Sequence, residues 1–366
     1  MVEIIVNLGS RSYPIVVGAG SLSGVGSRLR TLGAGRKVAL VSDPRVRALH
    51  GGPVIEGLQS EGFVTAEIEL PEGEAAKTLA VAERAWDQCL SAGLDRGSTL
   101  LALGGGAVGD LAGFVAATYM RGIAFVQLPT TLLAHVDASI GGKVAIDHPK
   151  AKNLIGAFHQ PRLVVVDPKT LLTLPDREYR SGLAEVVKHG IILDAEYFAD
   201  LEAHVEEILN RDLPTLERIV TGSCRLKARV VEADETEADL RSVLNYGHTV
   251  GHALEALTWY SRWTHGEAVS LGIAVAAALA QRLGIAAPEA RERQLRLLNR
   301  LGLPTTFKEP EPMAILEAIS RDKKARDGRV PFILAPRIGE ARLLFDIPAE
   351  AVLAAINEVQ AGAVPT

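Results

Sequence analysis

Thr99-Leu100-Leu101-Ala102-Leu103-Gly104-Gly105-Gly106-Ala107-Val108-Gly109-Asp110 is the stretch that decides the fold. Its first five residues read as a buried strand, and the glycines that follow read as a tight turn into the apolar helix Leu111 to Tyr119. Gly104, Gly106 and Gly109 satisfy G-x-G-x-x-G between that strand and that helix. Glycines there let backbone N–H groups approach a diphosphate, whose charge the helix N-terminus favours. The same spacing also serves a plain turn that packs a helix on a sheet. An ordinary dinucleotide fingerprint adds an acidic residue at the end of the next strand, but Ile123 to Leu128 ends in Pro129. Asp43, at the end of an earlier strand, is the candidate for the adenosine ribose instead. Glu72-Gly73-Glu74-Ala75-Ala76-Lys77 is a second loop ahead of a helix and a candidate extension of the cradle.

Outward from this stretch the first half alternates strand and helix. Val2 to Leu8, Lys37 to Asp43, Thr65 to Leu70, Ile123 to Leu128 and Leu163 to Val166 read as strands, with Leu79 to Ala92 as a further helix. Continuous apolar strands separated by helices predict a mainly parallel sheet covered on both faces. Beyond Leu174-Pro175-Asp176 the periodicity turns helical: Arg180 to Leu193, Ala195 to Asn210, Leu216 to Ala233, Thr249 to Leu257 and Glu267 to Leu283. The reading is an α/β dinucleotide-binding domain over residues 1–175 and an all-α domain over 176–366, interrupted by an extended segment at Val330 to Leu334.

Composition narrows the partners. A chain of 366 residues is too long for one ordinary core. A formal charge of −5 provides no global field for nucleic acid, so an anionic substrate needs a local cluster of Lys and Arg. The longest apolar run, Ala268 to Ala280, is too short to span a bilayer, and the N-terminus lacks a signal-peptide pattern. Cys89 and Cys224 read as buried thiols of a reducing compartment. A cytoplasmic protein without a membrane partner is expected.

Asn245, His248 and His252 recur at intervals of three and four residues and share one helical face, with His265-Gly266-Glu267 following. Histidines four apart on a helix can both bind zinc, or one can bind and the other move protons. The carboxylate candidate is Glu185, set among apolar neighbours in Gly182 to Gly190, where a buried carboxylate needs a cation. Lys188, one turn on, is the competing partner. Two His, one Glu and an open position make a catalytic zinc arrangement rather than a closed structural one. Asp137 to Lys143, Lys152-Asn153, Lys227, Arg241 and Arg121 supply candidate contacts for phosphate or carboxylate, as does one lysine of Asp322-Lys323-Lys324.

Taken together these motifs resemble the 3-dehydroquinate synthases, members of the sugar phosphate cyclase superfamily. The resemblance rests on 104–110, Pro129 to Ala134, Asp137 to Lys143, Lys152 to Gly156, Glu185 to Lys188, Leu244 to His252 and His265 to Val269, and it covers nearly the whole chain. It implies a homodimer and an active site in the cleft between the two domains. It also implies a metal site of Glu185, His248 and His265 holding zinc or cobalt, with His252 left for proton chemistry or substrate contact. NAD contacts are implied for Asp43, Glu72, Gly73, Glu74, Lys77, Gly105 to Asp110, Thr130, Thr131, Lys143, Lys152, Thr170 and Thr173. Catalytic and substrate contacts are implied for Asp137, Lys143, Lys152, Asn153, Lys188, Lys227, Arg241, Asn245 and His252. Arg121 is implied to reach the partner subunit's substrate.

The implied reaction takes 3-deoxy-D-arabino-heptulosonate 7-phosphate, a sugar-acid phosphate, to 3-dehydroquinate and phosphate. It runs through NAD-mediated transient oxidation, phosphate elimination, re-reduction and intramolecular aldol closure. Other cyclases of the superfamily, acting on sedoheptulose 7-phosphate or glucose 6-phosphate, share the apparatus. A metal-dependent polyol dehydrogenase is a more distant alternative. Arg241, Asn245 and His252 together suit an acid substrate.

Overall fold

The computed structural model describes residues 1–238, 240–320 and 330–362. Apolar, β-branched runs form the sheet of the first unit: β1 Val2–Val6, β2 Tyr13–Val17, β3 Lys37–Ser42, β4 Val64–Glu69, β5 Thr99–Gly104 and β6 Ala124–Pro129. A hairpin, β7 Lys143–His148 and β8 Ala151–Phe158, precedes the last sheet strand, β9 Leu163–Val166. The order across the sheet is β1-β2-β9-β6-β5-β3-β4. Every pairing is parallel except β1 with β2, as continuous apolar strands predict. β3 has β4 on one side and β5 on the other, so successive crossovers run in opposite directions from it. Open α/β sheets bind ligands at the carboxyl ends of strands at such a switch.

Each face of the sheet has its own core. Helices Leu79–Ser91 and Gly106–Thr118 cover one face around Leu100, Leu111, Val115 and Phe125. Helices Val25–Thr31 and Pro44–Ser60 cover the other around Leu40, Val54, Leu58 and Leu101. Helix Pro44–Ser60 and strand β2 were not foreseen. The helix buries only Gly51, Val54 and Leu58 and holds Gly51-Gly52-Pro53 within it, so its apolar stripe is faint and its middle resembles a loop. Its start is well made: Asp43 caps the Val46 N–H at 2.9 Å and Pro44 stands at the first position.

The first unit comprises Met1–Pro175 and also Leu213–Thr236; the second comprises Asp176–Asp212 and the chain from Glu237. A single division after Pro175 therefore gives way to one in which helix Leu213–Ala233 returns to the sheet unit. There Asn7 Nδ2 donates to Glu232 at 2.8 Å, Arg11 pairs with Glu235 at 2.6 Å, and Lys227 pairs with Asp137 at 2.6 Å. Periodicity shows that this helix has an apolar face but not which core receives it.

The second unit is built on helices Asp176–Leu193, Ala195–Ala203, His248–Leu257, His265–Arg282, Pro288–Arg300, Pro312–Ser320 and Ala349–Gln360. Helix His265–Arg282 is buried from Ala268 through Ala280 and forms its centre. The expected all-α unit is corrected by one hairpin, β10 Phe332–Arg337 with β11 Glu340–Leu344. Its first strand coincides with the extended segment expected at Val330 to Leu334. Asp322, Lys323 and Lys324 lie outside the described residues. Among the described residues no helix is long and apolar enough to cross a membrane.

Candidate metal centre and nucleotide-side turns

Three helices of the second unit converge because glycines let them. A Cβ on Gly266 would overlap the Ser181 carbonyl, so the start of helix His265–Arg282 lies directly on helix Asp176–Leu193. A Cβ on Gly272 would overlap the Gly247 carbonyl, which seats helix His248–Leu257 equally close. A capping box between Thr264 and Glu267 starts the helix at His265: Thr264 N–H donates to Glu267 Oε2 at 2.8 Å. Glu185, His248 and His265 thereby meet, their ligand atoms all within 4.8 Å of one another.

The protonation pattern follows from the neighbours. His248 Nδ1 lies 3.1 Å from the Tyr246 carbonyl oxygen, which can only accept, so Nδ1 carries the hydrogen and Nε2 a lone pair. His265 Nδ1 lies 3.2 Å from Glu255 Oε1, which leaves its Nε2 facing inward in the same way. Glu185 is fully buried, and its Oε1 accepts no hydrogen bond. This oxygen lies 3.6 Å from His248 Nε2 and 3.8 Å from His265 Nε2. Ligands of a tetrahedral zinc stand about 3.3 Å apart at ordinary bond lengths. A buried orphan acceptor opposite two ring nitrogens therefore fits a divalent cation in both chemistry and spacing.

Lys188 pairs with the other oxygen, Glu185 Oε2, one turn along the helix. Both expected partners of Glu185, a lysine and a cation site, are thus accommodated, one on each oxygen. Burial alone would hold His265 neutral, but the hydrogen bond and charge of Glu255, then the charge of Glu185, outweigh it and raise its pKa. His252 is not in the group whose ligand atoms lie within 4.8 Å of one another, although its ring centroid is 5.2 Å from that of His248, the same as the separation of His248 and His265. Arg241 is buried, and Asn245 Nδ2 donates to Glu237 Oε1 at 3.0 Å.

In the first unit Asp43, the glycine turn, Thr130 and Thr170, all expected on the nucleotide side, lie beyond the carboxyl ends of β3, β5, β6 and β9. Gly105 caps helix Gly106–Thr118, and Thr130 N–H donates to the Gly104 carbonyl at 2.9 Å, tying the end of β6 to the glycine turn. Ala107, Val108 and Gly109 lie in the first turn of that helix. A Cβ on Gly109 would press on the Gln127 side chain, so this glycine serves helix–sheet packing. Thr131 Oγ1 accepts from Ala134 N–H at 3.2 Å. Thr170 Oγ1 lies 3.2 Å from His135 Nε2, and Thr173 Oγ1 lies 2.9 Å from His50 Nε2.

Lys77 connects the second loop to this turn. Its Nζ reaches Asp110 Oδ2 at 2.7 Å and also Asn153 Oδ1. Burial works against the charged amine, but the charges of Asp110 and Glu74 outweigh it and raise the Lys77 pKa. Glu72 caps the short turn Gly73–Ala76, and Glu74 lies 3.6 Å from Lys152 Nζ. Lys143 opens β7 and is exposed. Lys227 Nζ holds Asp137 by both its carboxylate and its carbonyl. Arg121 is exposed in a turn where Met120 and Arg121 have φ of 50° and 67°, a conformation that costs energy in non-glycine residues.

Two residues, one in each unit, were missed by sequence reading. Glu255 is seven residues after His248, on the same helical face, and that spacing was its signal. His135 is fully buried, with Nε2 2.9 Å from the Pro129 carbonyl; a lone histidine in an apolar run gives no such signal. Burial lowers its pKa to about 3.

Fold and centre together have the form of a sugar phosphate cyclase. The structure matches 2-epi-5-epi-valiolone synthase from Streptomyces hygroscopicus subsp. jinggangensis 5008, solved with NAD+ and Zn2+ bound, at TM-score 0.86 and 27% identity over 95% of this chain and 96% of that one. It also matches 2-deoxy-scyllo-inosose synthase, complexed with carbaglucose-6-phosphate, NAD+ and Co2+, at TM-score 0.88 and 25% identity over 98% and 100% of the two chains. Family models for the N-terminal and C-terminal parts of 3-dehydroquinate synthase match residues 67–181 and 182–325. The 3-dehydroquinate synthase of Pelotomaculum thermopropionicum is 55% identical over 93% of this chain and 92% of its own length. That of Geobacter metallireducens is 51% identical over 93% and 94%. The chain belongs to the 3-dehydroquinate synthase family.

Proposed function

We propose that this chain converts 3-deoxy-D-arabino-heptulosonate 7-phosphate to 3-dehydroquinate and phosphate, as a phosphate-eliminating lyase that uses bound NAD and a divalent cation. The observation that carries the metal requirement is Glu185 Oε1, buried without a hydrogen bond opposite two imidazole nitrogens. Glu185, His248 and His265 would hold zinc or cobalt. The ion supplies Lewis acidity to a substrate hydroxyl, and NAD supplies a reversible two-electron acceptor.

The chain's own residues do the rest. Lys188, anchored on Glu185 Oε2, keeps that carboxylate aimed. His252, one turn after His248, holds a proton at an imidazole nitrogen, and Asn245 orients a substrate hydroxyl beside it. Arg241, Lys227, Lys152, Asn153, Lys143 and Asp137 fix the carboxylate and phosphate ends, and that positioning is where most of their contribution lies. Asp43, Glu72 to Lys77, Gly105 to Asp110, Thr130, Thr131, Thr170 and Thr173 are assigned to the nucleotide, at the sheet's switch point.

The active form proposed is a cytoplasmic homodimer in which Arg121 serves the partner's substrate. Exposed Leu154 and Phe158, on one face of β8, supply an apolar surface for a second copy. Two free, buried cysteines suit a reducing compartment.

The test is a side-by-side assay of phosphate release and NADH absorbance with the heptulosonate phosphate and with sedoheptulose 7-phosphate. Phosphate release from the former without net NADH is expected. Net NADH would favour a polyol dehydrogenase, and preference for sedoheptulose 7-phosphate a different cyclase.

A further inference from the structure

Glu255 lies outside the ligand set but touches it. Helix His248–Leu257 presents His248 and Glu255 on one face, two turns apart, so one helix supplies a ligand and a carboxylate aimed at the next ligand. Glu255 is buried, with Oε1 3.2 Å from His265 Nδ1. A buried carboxylate survives only where a donor meets it. The ring needs this contact more than His248 needs its own. His265 opens its helix directly after the connecting loop, and its side chain is 31% exposed, against 11% for His248 and none for Glu185. His248 Nδ1 meets a backbone carbonyl, a neutral acceptor. A carboxylate partner fixes ring orientation and tautomer and makes the opposite nitrogen a stronger donor to a metal.

We propose that Glu255 is the positioning residue of the metal centre: its carboxylate holds His265 with Nε2 turned toward Glu185 and thereby sets the affinity of the site for its ion. This rests on the metal reading given above. Glu255 itself touches neither substrate nor ion.

The experiment is Co2+ binding to metal-stripped protein, measured by competition with a chromophoric chelator, for the parent chain, Glu255→Ala, Glu255→Gln and His248→Ala. Melting temperatures of the metal-free proteins are recorded alongside. Glu255→Ala is expected to weaken Co2+ binding by about 10- to 100-fold. Glu255→Gln still accepts the Nδ1 hydrogen but lacks the charge, so it is expected to fall between parent and Glu255→Ala. Metal-free melting temperatures are expected to stay at the parent value, which a packing role for Glu255 would not allow.

Parent-like affinity in both Glu255 variants overturns the proposal. So does a loss of affinity that comes with an equal fall in metal-free stability. If Glu255→Ala does not fold, the isosteric Glu255→Gln decides by the same two readouts. A parent chain that binds no Co2+, or a His248→Ala chain that binds as well as the parent, overturns the metal reading itself and this inference with it.

Discussion

The metal centre and the nucleotide-side turns are organised in opposite ways. The first sits on helices: Glu185, His248 and Lys188 are buried, the rings are oriented from behind by Tyr246 and Glu255, and one buried oxygen has no hydrogen bond. The second sits on loops at strand ends, and its polar groups already have partners: Asp43 caps a helix, Lys77 holds Asp110 and Asn153, and Thr173 meets His50. In one region a buried carboxylate oxygen faces two imidazole nitrogens. The other must exchange contacts when it takes a ligand. Substitutions of Glu185 or of the glycines that seat its helices should therefore damage fold and metal binding together, and those in the second region should alter nucleotide affinity with little effect on the fold.

The largest expected effect is at Glu185. Glu185→Gln removes a ligand and leaves Lys188 buried without its counter-charge, at a cost of about 3–5 kcal/mol. Adding Lys188→Met should recover most of that stability but no metal, as urea unfolding and metal analysis would show. Recovery of metal in the double variant would break the assignment. Gly266→Ala comes next. Its methyl has no room beside Ser181, so a loss of about 1–3 kcal/mol is expected, together with weaker metal binding as the helices separate. An unchanged melting temperature would mean the helices are not held at this contact.

On the nucleotide side, Lys77→Met should weaken NADH binding by about 10- to 100-fold, from the loss of charged hydrogen bonds, with metal content unchanged. Equal loss of metal would erase the contrast between the two regions. The smallest effect concerns His135. Its pKa is lowered by burial from 6.5 to about 3, so the unfolded chain binds the proton more readily. Its contribution to stability is complete above pH 6.5 and is lost as pH falls toward 3, by about 1 kcal/mol per pH unit. His135→Gln should flatten that slope in denaturant titrations at pH 5 to 7.

Legibility in the sequence followed how local each signal was. The parallel sheet was readable because its central strands β3, β5, β6 and β9 are largely apolar runs closed by turns. Helix Pro44–Ser60 was not, because Gly51-Gly52-Pro53 imitates a loop and only three of its residues are buried. The hairpin β7–β8 was not legible either, since β8 exposes most of its side chains and offers no alternation. In the site, His248 and His252 announced themselves by helical spacing, but spacing could not separate ligand from neighbour. That distinction came first from the family resemblance. In the structure the ligand atoms of Glu185, His248 and His265 lie within 4.8 Å of one another.

By itself the sequence determined the mainly parallel sheet, the turn to helical periodicity after Pro175, the glycine turn and the histidine face, because these depend on residues a few positions apart. The tertiary structure decided which core receives helix Leu213–Ala233, that Glu185 offers one oxygen to Lys188 and the other to the histidines, and that Glu255 stands behind His265. Those outcomes depend on how closely helices approach, and that approach is set where a glycine of one helix meets a carbonyl of another. No periodicity along a single helix carries that information.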